Sequence, residues 1–105
     1  MTAIGTFLKT FGSELVDTTD TVSPTAKQVS DGLLLNAGRN GTQTINLPTS
    51  NIVGSPSVFI IASDSNVSTL NTVTITGAGS NVILDYVDSF AAFQWLSAKG
   101  RWVRL

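Results

Sequence analysis

Seven short segments rich in β-branched, aromatic and other apolar residues recur from residue 32 to the end of the sequence, and they limit the folds open to the chain. Stretches of Gly, Asn, Asp, Ser and Pro, which favour turns, separate them. We therefore predict an all-β fold, a small antiparallel sandwich or barrel of about seven short strands with an extended N-terminal arm. The segments are GLLLN (32–36), TQTINL (42–47), SVFIIAS (57–63), TVTIT (72–76), NVILDYV (81–87), AFQWLS (92–97) and RWVRL (101–105).

Two of these segments predict different kinds of burial. Residues 72–76 alternate strictly, so Val73 and Ile75 should face a core while the threonines face outward. Residues 58–61 are apolar at every position. We expect that strand to be covered on both faces, either by a second sheet and the N-terminal arm or by another subunit.

The first 31 residues lack the strand pattern, and we predict two regions: an arm and connector (1–31) and a β domain (32–105). The polar stretch that follows residue 16 carries Pro24 and predicts an extended connector. Gly5 and Gly12 lower the stability of a helix near the start, so we expect an arm with one short helix at most. Apolar residues recur there at helical spacing: Ile4, Phe7, Leu8, Phe11 and Leu15.

The surface carries unusually little charge. Only 12% of the 105 residues are charged, the formal net charge is −1, and the chain contains 14 Thr, 12 Ser and 7 Asn. A freely diffusing monomer needs charge to stay apart from its neighbours, so this composition favours a packed assembly. The chain has no cysteine for disulfides, which leaves oligomerisation as the device that would stabilise so small a domain.

The residue types argue against catalysis, and we expect no enzyme, no cofactor and no metal site. Histidine and cysteine are both absent, which removes the common nucleophile–base pairs and transition-metal ligands. Asp85 and Asp88 would be the carboxylate pair of a glycosidase, but they are three residues apart on or near a strand, so their side chains should point to opposite faces. The glycines of residues 77–79 predict a hairpin turn, and residues 64–68 lack the Gly and Glu of a calcium loop.

The C-terminal segment combines basic and aromatic residues. Lys99, Arg101 and Arg104 lie close to Trp95 and Trp102, a mixture that suits nucleic acid or a protein contact. The acidic balance of the whole chain, with a pI near 4.9, favours the protein contact, and we expect no nucleic-acid partner.

The register of this hairpin decides which side chains face outward. A three-residue loop over residues 98–100 would pair Leu96 with Trp102 outside the core, beside Arg104, and would put Val103 and Leu105 in the core with Phe93 and Trp95. A two-residue loop would set Trp95 against Arg104. The competing hypothesis places Trp102 in the core of its own domain.

No targeting or membrane segment is evident. No stretch approaches 18 consecutive apolar residues, and the N-terminus lacks the pattern of a signal peptide. We expect a protein made in the cytoplasm, without a membrane partner.

The chain resembles the β-rich virion accessory proteins of tailed bacteriophages, which include capsid decoration (cement), head-fibre and tail-fibre types. The resemblance covers about residues 32–105 and lies in pattern and composition: SVFIIAS, a polar loop, NTVTITGAGSNVIL, an aromatic strand and the closing GRWVRL. Such domains are usually trimeric and lack active sites. The resemblance implies a structural virion protein.

Because no shaft or repeat precedes the β domain, we expect a decoration protein, which as a homotrimer would bind the major capsid protein on the outer capsid surface. The alternative is a tail-fibre or tail-tip domain that binds a receptor or glycan through Tyr86, Phe90 and Phe93 beside Asp85 and Asp88. The predicted subunit or capsid interface consists of Ile4, Phe7, Leu8, Phe11, Leu96, Trp102 and Arg104.

Overall fold

The computed structural model of the protein describes residues 13–105, and four residues of the predicted interface, Ile4, Phe7, Leu8 and Phe11, lie outside them. The described part contains nine strands and one short helix. These are β1 Ser13–Val16, β2 Thr21–Val22, α1 Ala26–Ser30, β3 Leu33–Asn36, β4 Gln43–Asn46, β5 Ser57–Ile61, β6 Val73–Thr76, β7 Val82–Leu84, β8 Phe90–Leu96 and β9 Arg101–Arg104.

The strands form two sheets, and the chain passes back and forth from one sheet to the other. The five-stranded sheet has the order β1-β3-β5-β8-β9 and the four-stranded sheet the order β2-β4-β6-β7. The first six strands enter the two sheets alternately, and their pairings within each sheet are parallel. The chain then reverses, so that β7 pairs with β6, β8 with β5 and β9 with β8 in antiparallel fashion.

The prediction of a mostly β, sandwich-like fold is confirmed, but the antiparallel arrangement is wrong for β1 to β6. All seven predicted strands form, as β3 to β9. Sheet neighbours such as β3 and β5 are joined through a strand of the other sheet, and such long crossovers produce parallel pairs where hairpins would produce antiparallel ones. Neither sheet of the described part closes into a barrel.

Two short strands, β1 and β2, and the helix α1 lie within residues 13–31, the stretch for which we expected an arm and an extended connector. β1 pairs with β3, and β2 pairs with β4. Between β2 and β3, α1 begins with a capping box: the Thr25 hydroxyl accepts from the Gln28 backbone N–H at 3.1 Å, and the Gln28 side chain accepts from the Thr25 N–H at 2.8 Å. Val29 of this helix is buried in the core.

One continuous core lies between the sheets and contains residues from both. Alternation decides which side chains enter it: Val73 and Ile75 are buried, as predicted, while the threonines of β6 point outward. Val58 and Ile60 are also completely buried. Phe59 and Ile61, on the other face of β5, are half-buried.

A buried amide fixes the end of the sandwich at which β1 and β3 finish. The Gln43 side-chain Nε2 donates to the backbone oxygens of Asp17, at 2.8 Å, and Thr19, at 3.0 Å. Its Oε1 accepts from the Gly38 N–H at 2.7 Å. Gln43 therefore ties the β1–β2 and β3–β4 connections together.

Candidate functional site

The outer face of the five-stranded sheet is the face turned away from the core, and apolar side chains cover its centre. The strand register arranges them in two rows. The Leu34 row contains Glu14, Leu34, Phe59, Ala92 and Leu105, and the Phe90 row contains Val16, Asn36, Ile61 and Phe90.

Several of these apolar side chains are open to solvent. Val16 is 66% exposed, Phe90 58% and Leu105 70%. The rings of Phe59 and Phe90 stack with their centroids 5.2 Å apart. Several exposed apolar side chains on one sheet face are typical of a surface that contacts another protein.

Polar groups frame this apolar centre. On the β1 side, the Glu14 carboxylate accepts a hydrogen bond from the Asn36 side-chain amide. Towards the β8–β9 turn, the sheet presents Gln94 and the exposed Arg101. An apolar centre with a polar rim is the usual composition of a protein interface.

The outer face of the four-stranded sheet has a different chemistry. Thr21, Thr44 and Thr74 stand side by side in the register of β2, β4 and β6. In the next row, the Thr76 hydroxyl donates to the Asn46 side-chain oxygen at 2.6 Å. Neutral hydroxyl and amide groups of this kind suit contact with water, so this outer face is the more polar of the two, although Ile83 is exposed on it.

The predicted register of the C-terminal hairpin is wrong. Leu96 pairs with Arg101 and Trp95 with Trp102, which leaves four loop residues, 97–100. Both the Lys99 and the Gly100 N–H donate to the Leu96 carbonyl, at 3.0 and 2.8 Å. Since the predicted loop had three residues, the observed loop moves every β9 side chain to the opposite face.

Trp102 therefore lies in the core of its own chain and not at the predicted surface patch. Its side chain is 3% exposed, and its indole N–H donates to the Pro48 carbonyl at 2.7 Å. Its ring meets Trp95 edge-on, with the centroids 5.4 Å apart. Burial of this large aromatic side chain, with its N–H hydrogen-bonded, stabilises the observed register over the predicted one, which left Trp102 on the surface.

The other C-terminal residues change places accordingly. Phe93 and Trp95 are buried as predicted, but Val103 is half-buried on the outer face and Leu105 is exposed there. Leu96 stays on the outer face without Trp102 beside it. Arg104, paired with Phe93, is exposed near the end of β9.

Three aspartates follow or precede strands at one end of the sandwich, where β1 and β5 finish and β8 begins. Asp17 follows β1, Asp64 follows β5, and Asp88 precedes β8. Within residues 13–105, no three acidic side chains lie close enough together to hold a metal ion. The Asp64 carboxylate instead accepts from the Asn66 backbone N–H at 2.8 Å, which closes a local turn.

Asp17 at this end has a perturbed titration. The Thr19 backbone N–H and hydroxyl donate to its carboxylate at 2.8 and 2.7 Å. These two bonds lower the pKa of Asp17 below its usual value. The arrangement favours the charged form and stabilises the turn between β1 and β2.

The aromatic residues that we proposed for glycan binding are not all accessible. Tyr86 and Phe90 are exposed, and Asp85 and Asp88 lie in the same β7–β8 segment. Phe93 is completely buried in the core, so that part of the predicted glycan site is wrong.

Sequence reasoning missed most of the outer face of the five-stranded sheet. Val16 and Leu34 were not among the predicted interface residues, and Leu105 was expected in the core. One signal was available, since Leu33, Leu34 and Leu35 are three consecutive apolar residues, as in the strand at residues 58–61.

No helix of residues 13–105 has the length and the apolar character needed to cross a membrane. Neither the models of known protein families nor the curated proteins gave a match to this chain.

Proposed function

We propose that this protein is a structural component of a tailed-bacteriophage virion, a capsid decoration (cement) protein that associates as a homotrimer. Its partner would be the major capsid protein, on the outer surface of the shell, after synthesis in the cytoplasm of the bacterial host. The observation that supports this proposal is the apolar outer face of the five-stranded sheet, on a chain with few charges and no histidine or cysteine.

The mechanism is stabilisation by binding. A decoration protein that binds the assembled shell but not its dissociated subunits shifts the equilibrium towards the shell. Apolar area buried between neighbours contributes about 25 cal/mol per Å². Val16, Phe90 and Leu105 are the most exposed apolar residues of the outer face, and they are our candidates for the contact with a sister subunit or the shell.

Fractionation of the virion tests the proposal. Purified virions would be separated into heads and tails, and each fraction probed with an antibody against this chain. We expect the protein in the head fraction, from which the double variant Phe90→Ser, Leu105→Ser should be lost. Ile83→Ser is the matched control, because Ile83 is an exposed apolar residue on the polar outer face of the four-stranded sheet.

A second candidate function has one specific observation in its favour. Tyr86 and Phe90 expose aromatic rings close in sequence to Asp85 and Asp88, and such a combination suits stacking on a sugar and hydrogen bonding to its hydroxyls. A tail-tip protein would then be found in the tail fraction. It would also bind members of a glycan array, and Tyr86→Ala would abolish that binding.

A further inference from the structure

Asn40 lies in the connection between β3 and β4 and is followed by Gly41, and no other asparagine of the chain is followed by glycine. The residues that follow the others are Ala, Thr, Val, Leu or Ile. The backbone nitrogen of the next residue can attack an asparagine side chain, and a side chain on that next residue hinders the approach. The sequence therefore singles out Asn40 for this reaction.

The fold explains why position 41 is a glycine. Its φ is 122°, in a region that residues with a side chain rarely adopt. A Cβ added there would lie 2.5 Å from Nη1 of Arg39, which is paired with the Asp20 carboxylate at 2.6 Å. The turn thus requires the residue type that leaves its backbone nitrogen most open to the Asn40 side chain.

The Asn40 side chain is exposed, and it has no hydrogen-bond partner within the part of the chain that the structure describes. Four other asparagine side chains are held by hydrogen bonds: Asn36 to Glu14, Asn46 to Ser23, Asn66 to Asp64 and Asn71 to the Asn66 backbone. Asn51 and Asn81 are exposed like Asn40, but β-branched Ile52 and Val82 follow them. Asn40 therefore combines a free side chain with an unhindered neighbour.

We propose that Asn40 is a site of spontaneous deamidation, which proceeds through a succinimide ring closed onto Gly41. The Gly41 backbone nitrogen loses its proton and bonds to Cγ of Asn40, the C–N bond of the side-chain amide breaks, and ammonia leaves. Water then opens the ring at one of its two carbonyl carbons. Addition at Cγ restores the main chain and leaves aspartate, whereas addition at the main-chain carbonyl carbon leaves isoaspartate.

The two products change the turn differently. Both place a new negative charge next to Arg39 in the sequence, and isoaspartate also lengthens the main chain of the β3–β4 connection by a carbon atom. In that connection the Gly38 N–H donates to the Gln43 side chain at 2.7 Å. Isoaspartate therefore disturbs the connection that Gln43 holds, while aspartate keeps its main chain. This inference does not rest on the proposed virion function.

Peptide mapping by mass spectrometry tests the inference on the full chain. The purified protein would be incubated at mildly alkaline pH, and the conversion of each asparagine to acid followed over time. We expect conversion at Asn40 to be at least about tenfold faster than at Asn51 or Asn81, the internal controls for exposure without glycine. The product should be a mixture of aspartate and isoaspartate, which fragmentation distinguishes.

Two variants provide a matched pair for isoelectric focusing of the intact chain. Asn40→Gln should stop the time-dependent formation of the more acidic species, because glutamine closes a larger ring more slowly, whereas Asn81→Gln should leave it unchanged. Conversion at Asn40 no faster than at Asn51 and Asn81 would overturn the inference, as would acidic species that persist in Asn40→Gln. Aspartate without isoaspartate would also overturn it, by showing direct hydrolysis of the amide in place of ring closure.

Discussion

Replacing Trp102 with phenylalanine should destabilise the folded chain itself by about 2–3 kcal/mol. The loss of the 2.7 Å hydrogen bond from the indole N–H to the Pro48 carbonyl accounts for about 1 kcal/mol. The ring atoms that phenylalanine lacks, together with the small cavity that they leave at a site 3% exposed, account for about 1–2 kcal/mol more. Phenylalanine can keep part of the edge-on contact with Trp95.

Urea unfolding followed by far-UV circular dichroism measures this change directly. For a domain of this size, about 2–3 kcal/mol corresponds to a fall in Tm of about 10–20 °C. Tyr86→Phe is the matched control: it also removes one polar hydrogen from an aromatic side chain, but at an exposed position, so it should stay within about 0.5 kcal/mol of the wild type.

One result would refute this reasoning. If Trp102→Phe left the unfolding free energy within about 0.5 kcal/mol of the wild type but weakened self-association, Trp102 would lie at a subunit boundary. The β8–β9 register described above would then be incorrect.

Three further predictions concern the turns at the end of the sandwich and the backbone. Gln43→Ala should cost about 3 kcal/mol in urea unfolding, because the Gly38 N–H and the Asp17 and Thr19 carbonyls lose their partner; a cost below about 1 kcal/mol would show that water replaces the amide. Gly38→Ala should cost at least about 2 kcal/mol, since φ is 108° and the new Cβ would lie 2.6 Å from Val67 Cγ2. Gly79→Ala, where φ is 82° and no atom lies within 4 Å of the new Cβ, should cost only about 1 kcal/mol, and equal costs would contradict the close packing at Gly38. Finally, the pKa of Asp17 is lowered on folding, so the stability it contributes is complete above the unfolded pKa of about 3.9 and is lost as the pH falls through the folded pKa. Thr19→Val should move the carboxyl titration, followed by NMR, back towards that value, and an unchanged titration would disprove the role of the hydroxyl.

The positions of the strands could be predicted from the sequence because alternation and turn residues are local signals. Residues 72–76 show this well, since their alternation also predicted which side chains enter the core. The direction of pairing could not be predicted in this way, because an alternating strand fits parallel and antiparallel neighbours equally well. What decides the direction is the path of the chain between the sheets, and no short stretch of sequence encodes it.

The hairpin and the first strands show two further limits. One additional residue in the loop before β9 places Trp102 in the core, where the predicted register had placed Val103. Turn residues alone do not determine the loop length to within one residue. β1 and β2 are short, and only half of their residues are apolar, with the sequences SELV and TV. They form strands because β3 and β4 offer them edges, which is a tertiary effect.

The candidate surface was only partly predictable for the same reason. From the apolar run at residues 58–61 we expected β5 to be covered on both faces; Val58 and Ile60 are buried in the core, whereas Phe59 and Ile61 on the outer face are only half-buried. Which outward residues join Phe59 in one surface depends on the register of five strands, and the sequence of one strand does not contain it. Phe90 and Leu105, for example, come together with Phe59 only through β8 and β9.

The molar mass in solution tests most directly whether this chain works as an assembly subunit. Static light scattering at micromolar concentration should give about three times the chain mass of 11.0 kDa. The double variant Phe90→Ser, Leu105→Ser should give a lower mass, whereas Ile83→Ser should keep that of the wild type. A wild-type protein that stays at 11.0 kDa throughout this range would contradict the proposal that the outer face of the five-stranded sheet joins its subunits.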